Sequence, residues 1–193
     1  MEDREGIWWS ATISEGIKYY DPNTGRSGSF QYDARNKASL SNNMVNSVFE
    51  DGAGNLWIAT EGGGVCRLDK ERKSIKRFNA KNGLPSNFVF KVVEDGNKLL
   101  WMTTSKGLVG FNPQTETLTT FTSANGLLND QFNYSSGFKD EAGRLYFGSV
   151  KGMISFNPAS FRKNNFIPPV YITGFQVHNN ELSIGNESPL QQS

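Results

Sequence analysis

Glycoside hydrolysis needs two carboxylates facing each other across a sugar, about 5 to 9.5 Å apart. The chain offers three adjacent acidic pairs, Glu50-Asp51, Glu94-Asp95 and Asp140-Glu141. Each pair stands just before a Gly- or Asn-rich bend, where Asp bonds its own backbone and sets a hairpin turn. Asp21, Asp69, Asn112 and Asn157 recur in the same way, as turn residues at strand ends. The run Gly62-Gly63-Gly64 lacks the Lys-Ser/Thr that follows in a phosphate loop and has no helix to present its amides, so it reads as a hairpin tip. His178 is the single histidine and Cys66 the single cysteine, which leaves no set of zinc or copper ligands and no internal disulfide. No Ser-Gly elbow stands near His178 to make a nucleophilic triad. The expectation is a chain without catalytic residues, metal or cofactor, and not an enzyme.

The elements that position the remaining polar residues must be strands. Gly and Asn, the residues that best tolerate positive φ, each occur 20 times in 193 residues, and aromatic residues make up 12%. No window of 11 to 18 residues places apolar side chains at helical spacing. The fold class is therefore all-β. Twenty Lys and Arg against 19 Asp and Glu leave a net charge of +1, which argues against a nucleic-acid partner or an anionic-membrane surface. No apolar run approaches the roughly 18 residues of a membrane-spanning helix. The opening MEDREGIWWS lacks the basic and apolar regions of a signal peptide.

Four segments align: GIWWSATISEGIKYYDP, NLWIATEGGGVCRLDK, LLWMTTSKGLVGFNP and RLYFGSVKGMISFNP. With Trp8, Trp57, Trp101 and Tyr146 taken as equivalent, the spacings are 49, 44 and 45 residues. A Gly follows each aromatic (Gly16, Gly64, Gly107, Gly152), and Tyr20, Leu68, Phe111 or Phe156 stands four residues beyond it. Phe30, Phe78 and Phe121 mark a further strand, and the turns SLSNNMV, NGLPSNFV and NGLLNDQF lead into another. Each repeat thus holds four strands, A to D, for example Val89 to Glu94, Leu99 to Thr104, Gly107 to Phe111 and Leu118 to Thr122. Four strands in about 45 residues describe a β-propeller blade. The second strands, IWWS, LWIA, LWMT and LYFG, carry consecutive large residues, as strands covered on both faces do. The expected division is a partial blade over 1–39 lacking its A strand, blades over 40–83 and 84–126, and a last blade over 127–160, about three and a half blades in all. From 161 to 193 a linker with Pro168 and Pro169 leads to a strand at Val170 to Val177, a turn at Asn179-Asn180 and a second short strand at Glu181 to Ile184.

The strings EDGAGNLWIATEGGGV, FNAKNGLPSNFVFKVVEDG and GRLYFGSVKGMISFNP resemble the two-component regulator propeller repeats of periplasmic sensors in Bacteroides-type hybrid two-component systems. The tail NNFIPPVYITGFQVHNNELSIGNESPL resembles the entry into the immunoglobulin-like domain that follows the last blade in that family. The resemblance implies a periplasmic segment of an inner-membrane sensor that binds an oligosaccharide and signals to a histidine kinase controlling glycan utilisation. Its implied partners are that ligand, the other blades and the immunoglobulin-like domain.

Residues that recur at one blade position serve packing, so Trp8, Trp57, Trp101 and Tyr146 are assigned to the core. A ligand site must use residues peculiar to single blades. In propeller topology the B to C tips and D to A loops share one face. Here these are rich in amides and charges that match sugar hydroxyls. The ligand-binding candidates are Asn42, Asn43, Glu61, Asn87, Lys106, Asn129, Asp130, Gln131, Asn133, Tyr134 and Lys151. The segment NDQFNYSSGF of the last blade, with two extra residues, is the most individual feature of that face. Two other readings stay open: an assembly module that uses exposed blade edges, with a homo-oligomer as one form of it, and a glycan hydrolase or lyase.

Overall fold

The computed structural model describes residues 1–160, 176–178 and 180–181. The chain divides into two units, Met1–Phe161 and Arg162–Ser193. In the second, Gln176–Val177 and Asn180–Glu181 pair antiparallel around His178. The proline linker and most of the two strands expected around this hairpin lie outside the described residues.

In the first unit, β1 (Trp8–Ala11), β2 (Ile17–Tyr20) and β3 (Ser27–Phe30) form one antiparallel sheet. The next holds β4 (Val45–Glu50), β5 (Leu56–Thr60), β6 (Gly64–Leu68) and β7 (Ile75–Phe78). The third holds β8 (Val89–Glu94), β9 (Leu100–Thr104), β10 (Gly107–Asn112) and β11 (Thr117–Phe121). The fourth is β12 (Phe132–Lys139), β13 (Leu145–Ser149) and β14 (Gly152–Phe156). Each sheet is an up-and-down meander, and the fourteen strands are the content of three and a half four-stranded blades of a partial β-propeller. Short 3-10 turns at Ala80–Asn82 and Ser123–Asn125 close on Gly83 and Gly126, both at positive φ. The first sheet keeps a remnant of an A strand, because Glu2 bridges to Trp8 and the Met1 carbonyl accepts from the Trp9 amide.

Packing between sheets follows one rule. Trp57 stacks on Phe78 of its own blade at 5.7 Å and meets Phe111 of the next blade edge-on at 5.6 Å. Trp101 repeats this with Phe121 at 5.6 Å and Phe156 at 4.8 Å. Trp9 lies tilted beside Phe30 at 6.1 Å, in a cluster that includes Leu56, Ile58 and Leu68 of the second sheet. Three apolar cores therefore lie between successive sheets. β5 and β9, with a sheet on either side, are buried at every residue, as their consecutive apolar residues require. β1 and β13 border only one sheet among the described residues, and they alternate or are mostly exposed.

This geometry corrects the repeat alignment at one position. Trp8 is 54% exposed and its neighbour Trp9 only 4%, so Trp9 is the equivalent of Trp57 and Trp101. Successive side chains of a strand point to opposite faces, and a slip of one residue inverts the assignment. Trp57, Trp101 and Tyr146 take the expected repeat position, the last half-buried.

An aspartate holds each of these rings, buried beneath the three Trp and half-buried beside Tyr146. The indole N–H groups of Trp9, Trp57 and Trp101 donate to Asp3, Asp51 and Asp95 at 2.8, 2.8 and 2.9 Å, and the Tyr146 hydroxyl donates to Asp140 at 3.0 Å. The second oxygen of each carboxylate accepts turn amides, from Ala53 and Asn55 in the case of Asp51. The acidic pairs before each bend thus tie the A to B turn to the core ring. Between the third and fourth sheets Gly137 stands where the second and third have Val48 and Val92. It leaves room for the Lys91 stem, since a β-carbon there would come within 2.7 Å of Lys91 Cγ.

Candidate functional site

The B to C tips and D to A loops do share one face, and they are joined by a repeated set of hydrogen bonds. The hydroxyl that ends each B strand, on Thr12, Thr60, Thr104 or Ser149, donates to the carbonyl of Gly16, Gly64, Gly107 or Gly152. The amides of Gly16, Gly64 and Gly107 donate across to the next blade, to the carbonyls of Asn43, Asn87 and Asp130 at 2.9, 2.7 and 2.7 Å. Only glycine fits here. At Gly64 φ is +82° and a β-carbon would collide with the Phe78 carbonyl oxygen.

The same three loop residues turn their side-chain oxygens back onto the segment that follows the preceding D strand. Asn43 accepts from the Tyr32 amide at 2.7 Å, Asn87 from Ala80 at 2.8 Å, and Asp130 from the Ser123 amide and hydroxyl. Asn42 is likewise committed, donating to the Glu61 carbonyl at 2.6 Å and accepting from the Met44 amide. Asn129 accepts from the Asp130 amide at 2.8 Å, while its amide nitrogen is buried with no partner among the described residues. These amide positions thus have a turn-building task.

Glu61 is the hub of a second cluster. One carboxylate oxygen accepts from Asn46 Nδ2 at 2.8 Å and the other from the Tyr134 hydroxyl at 2.9 Å. Tyr134 reaches there from the fourth sheet because β12 carries its extra residues as a bulge: register shifts between Phe132 and Gly137, and Ser135 has a φ of +52°. Ser135 donates to the Asn46 carbonyl, Asn133 to the Ser149 carbonyl, and the Tyr134 ring meets Phe90 edge-on at 4.8 Å. Accepting the hydroxyl hydrogen bond, the Glu61 carboxylate pushes the Tyr134 phenol above its usual range. Asn46 is the member of this cluster that sequence reasoning missed, because it sits inside strand β4 and outside the loop motifs.

Five of the candidates come together elsewhere. Lys106, Asn129, Asp130, Gln131 and Lys151, together with Thr122, line a cleft of about 590 Å3 between the tips of the third and fourth sheets. Their tips are built alike, since the Lys106 and Lys151 amides are held by the Thr104 and Ser149 hydroxyls. Asn42, Asn43 and Asn87 stand at the two preceding blade junctions and Asn133 and Tyr134 on the bulge, so the eleven candidates form no single site. Among the described residues no group of three His, Cys, Asp or Glu is placed to hold a metal ion, and no helix is long and apolar enough to cross a membrane.

Residues 39–62 match the two component regulator propeller family. A curated relative, histidine kinase P4 of Formosa agariphila, is 24% identical over 98% of this chain and 17% of its own length. The extracellular domain of the hybrid two component system BT4673 of B. thetaiotaomicron superposes with a TM-score of 0.69 at 28% identity, over 83% of this chain and 22% of the other. The virginiamycin B lyase of Staphylococcus aureus superposes with a TM-score of 0.55 over 83% of this chain and 55% of the other, and at 16% identity it shares the fold alone. The chain therefore spans about a fifth of the length of the sensor proteins it matches. Repeat, fold and relatives agree that the chain is similar to the two-component regulator propeller blades in the extracellular domains of hybrid two-component systems.

Proposed function

We propose that this propeller segment is the non-catalytic, ligand-reading part of a periplasmic sensor anchored in the inner membrane. It recognises an oligosaccharide and passes occupancy through an immunoglobulin-like domain, begun by residues 161–193, to a histidine kinase controlling glycan utilisation. The observation that carries this reading is the face built from the B to C tips and D to A loops. It exposes amides, hydroxyls and ammonium groups suited to sugar hydroxyls, and its carboxylates are all engaged internally. Glu61 is held by Asn46 and Tyr134, Asp130 by Ser123, and Glu15 pairs with Lys18. A hydrolase or lyase needs such groups free to move protons. Calorimetric titration of a broad neutral and acidic oligosaccharide panel into the chain is expected to show saturable binding without turnover. Reducing ends released from any panel member would overturn the non-catalytic reading.

A second reading, assembly through the outer faces of the first and last sheets, is favoured by their exposed apolar side chains. Trp8 is 54%, Phe138 64% and Met153 66% exposed. Its natural occupant is another propeller blade, and a monodisperse monomer by light scattering at high concentration would sink it.

A further inference from the structure

The B to C tips change sign across the ligand face. Glu15 and Glu61 occupy the first two tips, Lys106 and Lys151 the last two; Glu15 pairs with Lys18, and the Glu61 carboxylate accepts from Asn46 and Tyr134. Neither Lys106 nor Lys151 has an ion-pair or side-chain hydrogen-bond partner among the described residues, and both are exposed. They flank one cleft of about 590 Å3, within the roughly 300–1,000 Å3 of small-molecule sites.

The acceptors between the two lysines are already used. The Asp130 carbonyl takes the Gly107 amide, the Gln131 carbonyl takes the Val150 amide, and the Asp130 carboxylate takes the Ser123 amide and hydroxyl. What the cleft still offers is two ammonium groups and the Gln131 side-chain amide, which donates and accepts, beside the single Asp130 carboxylate. Two ammonium groups without ion-pair partners outnumber the one carboxylate of the cleft and favour acceptor-rich, negatively charged groups. The rest of the molecule is nearly neutral, so this is a local device and not a general polyanion surface.

We infer that the cleft between Lys106 and Lys151 is a subsite for an acidic sugar residue, one bearing a carboxylate or a sulfate, within the oligosaccharide that this sensor reads. The inference rests on the oligosaccharide reading above and adds its charge class.

The test is calorimetric titration of the 193-residue chain with trigalacturonate, a sulfated galactotriose and unsubstituted galactotriose, each at low and high NaCl. An acidic trisaccharide is expected to bind about tenfold more tightly than the neutral one at low salt, an advantage that shrinks at high salt. The two acidic arms distinguish carboxylate from sulfate. The double variant Lys106→Ala/Lys151→Ala should remove that advantage, while Lys37→Ala, in the connection before β4, should leave it intact. Equal binding of galactotriose, survival of the advantage in the double variant, or equally tight binding of inorganic polyphosphate would each overturn the acidic subsite. If neutral members of the broad panel still bind, the sensor reading stands without it. Silence of every sugar, neutral and acidic, overturns both.

Discussion

Asp51 accepts two turn amides on one oxygen and the Trp57 indole on the other while 1% exposed, so its removal strands several buried donors at once. Asp51→Ala is expected to lower stability by about 2–4 kcal/mol, read as a shift in urea midpoint. Asp21→Ala, which removes hydrogen bonds open to solvent, should lower it less. Sequence reasoning placed these aspartates correctly in turns but not beneath the rings, because nothing local distinguishes a turn aspartate from one whose second oxygen serves a core indole. A usable signal was present: Asp3 to Trp9, Asp51 to Trp57, Asp95 to Trp101 and Asp140 to Tyr146 are all six residues apart. That spacing would also have chosen Trp9 over Trp8. At the same scale, Glu61 and Lys106 both stand at B to C tips, yet the first is held by Asn46 and Tyr134 and the second has no side-chain partner among the described residues.

The strands were legible as elements because their boundaries are set by turn chemistry written into each repeat. The four strands expected between Val89 and Thr122 are found at Val89–Glu94, Leu100–Thr104, Gly107–Asn112 and Thr117–Phe121. The glycine after each B strand shows why the period persists, since it must both turn at positive φ and donate to the next blade. Gly64→Ala, with φ of +82° and the Phe78 carbonyl in its way, is expected to cost about 3 kcal/mol. Gly126→Ala meets nothing within 4 Å at φ of +92° and should cost only about 1 kcal/mol, its backbone strain. Equal midpoints for the two variants in chemical denaturation would show that the junction is not what holds the blades together. The bulge in β12 was visible as extra residues, but its consequence was not. Only the register shift shows that the insertion swings Tyr134 out toward a carboxylate 73 residues away in sequence.

Blade-to-blade cohesion at the scale of the molecule combines the three apolar cores with ion pairs that cross them. Asp3 of the first sheet accepts from Arg72 of the second at 3.0 Å, and the Arg72 guanidinium lies over the Trp9 ring. Burial raises the Asp3 pKa, but the hydrogen bonds from Trp9, Ile7, Arg72 and Glu5 outweigh it and hold the group below its ordinary 3.8. A carboxylate lowered in the folded state adds stability that is complete above the ordinary value and is lost as pH falls through the lower, folded one. Thermal unfolding followed across that acidic window should therefore show a loss that Asp3→Asn reduces, and an unchanged slope in the variant would remove Asp3 from the account. Sequence by itself determined the blade period, the turns and the all-β class, since these rest on residue types repeated within about 45 positions. Tertiary structure alone decided which Trp enters the core, which carboxylates are spent and which two lysines remain free around one cleft. The partners that settle those matters come from other blades, brought close by packing and by no spacing along the chain.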